Sequence, residues 1–161
     1  MDFFLKNYDS NFINKELNQY GFIDFNIKKS VTFKNITFAN YDRSNISFNF
    51  KSYNYEVYNI EDINSGSYNK IKKGKMNIDN KKINVAIRMS SEYLDLEEFE
   101  ESYFENLKHL LLYIIFKKEG LENFIPKPYF LTYTIVKYEN NYFYRIIFIM
   151  EYIENSLFDF L

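Results

Sequence analysis

Between Leu94 and Lys118 apolar residues return every three or four positions: Phe99, Tyr103, Phe104, Leu107, Leu110, Leu111, Ile114 and Ile115. That period predicts a helix with one buried stripe. Glu97, Glu98, Glu100 and Glu101 gather at its start and Lys117 and Lys118 at its end, the charge order a helix dipole favours. Gly120 supplies a stop, and Pro126 and Pro128 forbid continuation. On either side the pattern is that of strands. Ile63 to Lys75 reads as strand, tight turn and strand, with Gly66 in the turn. Lys82 to Met89 is a strand holding the buried run Val85-Ala86-Ile87. Tyr129 to Tyr138 and Tyr142 to Met150 form a hairpin around Glu139-Asn140-Asn141. From Ile63 the order is strand, strand, strand, helix, strand, strand.

The first third of the chain is less regular. Phe12, Ile13 and Leu17 predict a weak helix within residues 1–20, closed by Gly21. Ile36/Phe38, Ile46/Phe48/Phe50 and Tyr53/Tyr55/Val57 then alternate with polar residues. A five-residue period also runs through Asn35, Asn40 and Asn45 and resembles a pentapeptide-repeat coil. Lys34 departs from that pattern, and so short a run buries no core alone. Antiparallel strands are the favoured reading. The expected division is an extension over 1–58 and a compact domain over 59–161. The expected fold is α+β: a five-stranded antiparallel sheet with one long helix, preceded by a helix and a β-rich extension.

Composition narrows the chemistry. The 161 residues carry 20 Lys+Arg and 22 Asp+Glu, for a net charge of −2. So even a balance argues against a nucleic-acid binder driven by bulk charge. With no Cys there is no disulfide, thiol nucleophile or Cys-held zinc, and His109 is the one histidine. No metal site is expected. The longest apolar run, Leu110 to Phe116, falls far short of the roughly 20 residues of a membrane helix. The start lacks the features of a secretion signal. No membrane partner and a cytoplasmic location are expected; for a viral gene that means the host cell. Phe and Tyr make up 21% of the chain, and Asn, Lys and Ile are abundant. An AT-rich genome imposes this bias, so a single Asn or Tyr is weak evidence of chemistry.

Three motifs carry a resemblance. Ile63 to Gly74, with Asn64, Gly66, Asn69 and Ile71, resembles the glycine-rich loop of protein kinases. Only the middle glycine is kept, and asparagines stand at the outer two. Val85-Ala86-Ile87-Arg88 is similar to the family's Val-Ala-Ile-Lys strand, with arginine for lysine. Phe148 to Leu161 resembles its fifth strand, hinge and following helix, with Ser156 as the helix cap. The likeness covers roughly residues 60–161 and is to the N-terminal lobe of the protein kinase-like superfamily.

That resemblance implies an ATP site. Asn64, Gly66, Asn69 and Ile71 would lie over the nucleotide, beside Ala86. Arg88 would face the phosphates and pair with Glu105, 17 positions on, or with Glu101. Met150 would be the gatekeeper, with Glu151 and Ile153 offering backbone bonds to adenine. Arginine is not a conservative replacement at a packed phosphate site. Neither His-Arg-Asp nor Asp-Phe-Gly occurs in the 161 residues, and phosphoryl transfer needs the carboxylates of those motifs. The implied protein is a truncated, pseudokinase-like N-lobe, with vestigial ATP binding at most and no catalytic residue. The alternative is a non-catalytic module docking on a kinase or another C-lobe-bearing protein through apolar surface near Met150 to Ile153. A small α+β binding domain unrelated to kinases is the third reading. Lys70, Lys72, Lys73 and Lys75 read as a solvated hairpin edge guarded by lysines rather than a nucleic-acid patch. Strand alternation turns Lys70 and Lys72 away from the phosphates.

Overall fold

The structure, a computed structural model, describes residues 10–20, 36–65, 69–90 and 92–153. Helix α1 (Ser10–Asn18) is followed by strands β1 (Thr37–Phe38), β2 (Asn40–Tyr41), β3 (Ile46–Phe50), β4 (Tyr53–Ser65), β5 (Asn69–Ile78) and β6 (Lys81–Ser90). Then come helix α2 (Leu96–Lys118), a 3-10 turn (Glu122–Phe124), β7 (Pro128–Tyr138) and β8 (Asn141–Glu151). The expected strands, hairpins and long helix from Ile63 onward are all present. The turn at Gly66 lies outside the described residues, as does the Ser156 cap.

Three two-residue turns join these strands without a glycine. Lys51-Ser52, Asp79-Asn80 and Glu139-Asn140 each place both central residues at positive φ. That is the turn whose twist matches a right-handed strand pair. Helix α2 opens on a capping box. Asp95 Oδ1 accepts the Glu98 N–H at 2.9 Å, and Glu98 Oε1 accepts the Asp95 N–H at 3.3 Å.

All eight strands belong to one sheet, in the order β1-β7-β8-β6-β5-β4-β3-β2. Its two edges, β1 and β2, are consecutive in the chain and separated only by Ala39. The segment pairs parallel with β7 through Thr37 and Phe38, then antiparallel with β3 through Asn40 and Tyr41. Ala39 N–H donates to Tyr133 O at 2.7 Å. The sheet therefore curls into a nearly closed, barrel-like wall.

This corrects the expected architecture: the sheet is eight-stranded and mixed, not five-stranded and antiparallel. The physical reason lies in the central strands. Ile146, Phe148 and Met150 pack outward under the helices, while Ile147 and Ile149 join an inner core. A strand apolar on both faces needs cover on both. The helices supply one cover. The N-terminal strands supply the other, bringing Ile46, Phe48, Phe50 and Val57 against Met76, Val85, Ile87 and Met89. The boundary expected at 58/59 falls inside β4. Among the described residues, 36–50 hold the strands β1, β2 and β3 and no five-residue coil; Asn35 lies outside the described residues.

The inner core is close-fitting at Gly74. A Cβ there would lie 2.6 Å from Val57 Cγ1 and 3.3 Å from Ile87 Cδ1. One end of the barrel is filled by rings. Phe130 meets Tyr55 at 4.7 Å, Phe48 at 4.9 Å and Phe50 at 5.9 Å between centroids. On the outside, Ile13 and Leu17 of α1 are fully buried in the cluster formed by α2, β7 and β8.

Candidate functional site

Strand alternation along β6 sorts its side chains onto two faces. Val85, Ile87 and Met89 enter the barrel core. Ala86 packs outward against the α2 cluster, and so does Met150, its partner across the β6–β8 ladder. Arg88 lies on the same outer face. Its Nη2 and Nε donate to Asn106 Oδ1 at 2.8 and 3.3 Å. Asn106 is buried and donates in turn to the Ser102 carbonyl, one turn back, at 2.7 Å.

Phe148 stands opposite Arg88 across the ladder and carries the guanidinium over its ring, 5.1 Å from the centroid. His109, half-buried on the next turn of the same helix, packs on that ring at 5.0 Å. Its Nε2 lies 3.3 Å from the Pro126 carbonyl oxygen. Burial pulls the imidazole below its ordinary value; the Pro126 bond opposes this and the Arg88 charge adds to it. Burial also lowers Arg88, and Glu105 partly restores it. The arrangement is a polar seam between sheet and helix, with one cation held by a neutral amide.

The residues named from sequence divide on this frame. Ala86, Arg88 and Met150 are brought together beneath α2. Ile71 is the β5 neighbour of Arg88, and Asn64 the β4 neighbour of Ile71. Asn69 pairs with Ser90 at the strand ends and is exposed. Glu105 faces solvent and pairs with Lys108 at 3.0 Å, so the bonded partner of Arg88 is Asn106. Glu101 is also exposed. Glu151 N–H donates to Lys127 O at 2.7 Å, and Ile153 is 40% exposed. Gly66 lies outside the described residues. Met150 is buried, which removes it from the apolar surface expected near the hinge.

Asn106 was not singled out, although a signal for it exists. It sits three residues after Tyr103 and four before Leu110, a polar residue on the apolar stripe. The lysines also differ from expectation. Strand β5 lies between β4 and β6 and is not an edge. Lys72 and Lys70 stand opposite Ile87 and Met89, on the inner face away from Arg88. Lys73 takes the outer face, its Nζ 4.5 Å from the Tyr152 ring centroid.

No family model, curated protein or solved structure matches the chain. Among the described residues no helix is long and apolar enough to cross a membrane. Among the same residues no cluster of His, Asp and Glu has the spacing to hold a metal ion.

Proposed function

We propose that this chain is a non-catalytic binding module related to the nucleotide-binding lobe of protein kinases, with weak affinity for ATP and no phosphotransfer of its own. One observation carries the reading: β6, the strand that leads into the long helix, presents a part-buried cation, Arg88, to that helix. A kinase-like strand would present its phosphate-gripping lysine at this position. Here the cation gives two hydrogen bonds to Asn106 and covers Phe148. It fastens the helix to the sheet. A guanidinium so engaged must break those bonds to reach a phosphate, which costs more than an exposed lysine would pay.

Thermal denaturation of the 161-residue chain with Mg-ATP tests this, together with a phosphate-release assay. Saturable stabilisation with a Kd of about 1 mM or weaker is expected. It should vanish in Gly66→Val and be accompanied by no phosphate release. A flat response at about 10 mM ATP removes the nucleotide reading. Phosphate release that depends on Arg88 overturns the non-catalytic one.

A further inference from the structure

The inner face of the barrel changes character toward one end. Its middle is lined by Val57, Met76, Ile87 and Ile147. Around Met89 the lining takes in Lys72 and Lys70 from β5, opposite Ile87 and Met89, Asp62 from β4, opposite Lys72, and Arg145 from β8. With Asp42 and Arg43 from the turn after β2, they surround an open cavity of about 590 Å³. That volume is within the range of small-molecule sites, about 300–1,000 Å³. Four cations and two carboxylates leave the lining with a surplus of two positive charges, although the whole chain carries −2.

Both carboxylates are already engaged. Asp42 Oδ1 accepts the Ser44 N–H at 2.8 Å, the Ser44 hydroxyl at 2.9 Å and the Asn45 N–H at 2.8 Å. These bonds lower its pKa from the ordinary carboxylate value. Asp62 pairs with Lys72, but unevenly: the lysine side chain is 12% exposed and the aspartate 75%. The cation is drawn into the barrel while its counter-ion stays in water. A buried charge so placed costs stability. Arg145 is deeper still, at 8% exposure. Its guanidinium is set by the Tyr93 ring, 4.1 Å from the centroid, and by Met89 Sδ, 4.0 Å from Nη1. Among the described residues Arg43 makes no hydrogen bond or ion pair. The barrel has thus gathered fixed and partly desolvated cations around a concave space.

We propose that this open end binds a small phosphomonoester. A dianion matches the surplus of two charges. A planar guanidinium and ammonium groups converging from different strands suit a tetrahedral oxyanion. Ile60 and Tyr41 line the same cavity and offer apolar contact to the ester group. The site lies on the opposite face of the sheet from Arg88, so it is independent of the ATP reading.

Calorimetric titration of the full chain with phenyl phosphate, and separately with inorganic phosphate, tests the proposal at fixed ionic strength. Saturable binding of phenyl phosphate is expected, tighter than that of inorganic phosphate. Lys70→Ala should weaken it about tenfold, the worth of one charge-assisted hydrogen bond. Arg43→Ala, an exposed turn position, should weaken it as well and serves if Lys70→Ala fails to fold. Lys81→Ala, an exposed cation at the opposite end of the β5–β6 ladder, should leave it unchanged. No saturation up to about 10 mM overturns the proposal. So does equal affinity in wild type and both mouth variants. Inorganic phosphate binding as tightly as the ester would overturn the assignment of an organic ligand.

Discussion

Arg88 on β6 and Asn106 on α2 meet through two hydrogen bonds to a single amide oxygen, and this contact joins the barrel wall to its helix. Removing the acceptor leaves a part-buried guanidinium with nothing in its place. Asn106→Ala should destabilise the protein by about 2–3 kcal/mol in urea titrations. Asn106→Asp, which keeps the oxygen, should recover most of that loss. Adding Arg88→Met to Asn106→Ala should cost less than the sum of the single changes, by about 1 kcal/mol or more.

His109 makes the fold sensitive to mild acid. Burial depresses its folded-state value below the ordinary 6.5. Between those two values the unfolded chain holds a proton that the folded chain lacks, so stability rises with pH. The contribution is intact above about 6.5 and is lost as pH falls through the folded value. Urea midpoints at about pH 7.5 and 5.5 should differ more for wild type than for His109→Gln. Equal differences would place the acid sensitivity elsewhere.

Gly74 is a packing requirement of the barrel interior. Its missing Cβ would sit 2.6 Å from Val57 Cγ1. Gly74→Ala should cost about 1–3 kcal/mol, and Gly74→Val more. Val57→Ala removes the clashing methyl, so the double variant should be more stable than additivity allows. Thermal midpoints of the four proteins give the answer.

Phe130 anchors the ring cluster that fills one end. Phe130→Ala removes contacts with Phe48, Phe50 and Tyr55 together and should cost about 3–5 kcal/mol. Because those rings come from β3 and β4, the near-ultraviolet dichroism of the tyrosines should fall even where the variant stays folded.

Much of the second half was legible in the sequence. Helix α2 announced itself by period and end charges, and the hairpin at Glu139-Asn140 by turn residues between alternating runs. Closure was not legible, because it depends on two-residue strands whose partners, Thr132 and Tyr133, lie nearly a hundred positions away. One warning was present. Ile146 to Met150 is apolar at every position, and a sheet covered by a helix on one face alone would leave half of them bare. The kinase resemblance named Ala86 and Arg88, which share the outer face of β6, and alternation turned Lys70 and Lys72 away from it. The partner of Arg88 was offset by one residue because Glu105 satisfies a charge rule, whereas Asn106 occupies the buried stripe. Arg145 was hidden inside a hydrophobic strand, where a lone cation has no sequence signature of its purpose.

The joints between β1 and β7 and between β2 and β3, on either side of Ala39, span two register pairs each, whereas the β5–β6 and β7–β8 ladders each span ten. A cylinder parts where its staves are least joined. Deuterium should reach the Ala39 amide long before it reaches those of Ile87 or Ile147, and at a rate insensitive to modest gains in global stability. Such a rate would mean that the wall parts beside Ala39 while the long ladders stay intact.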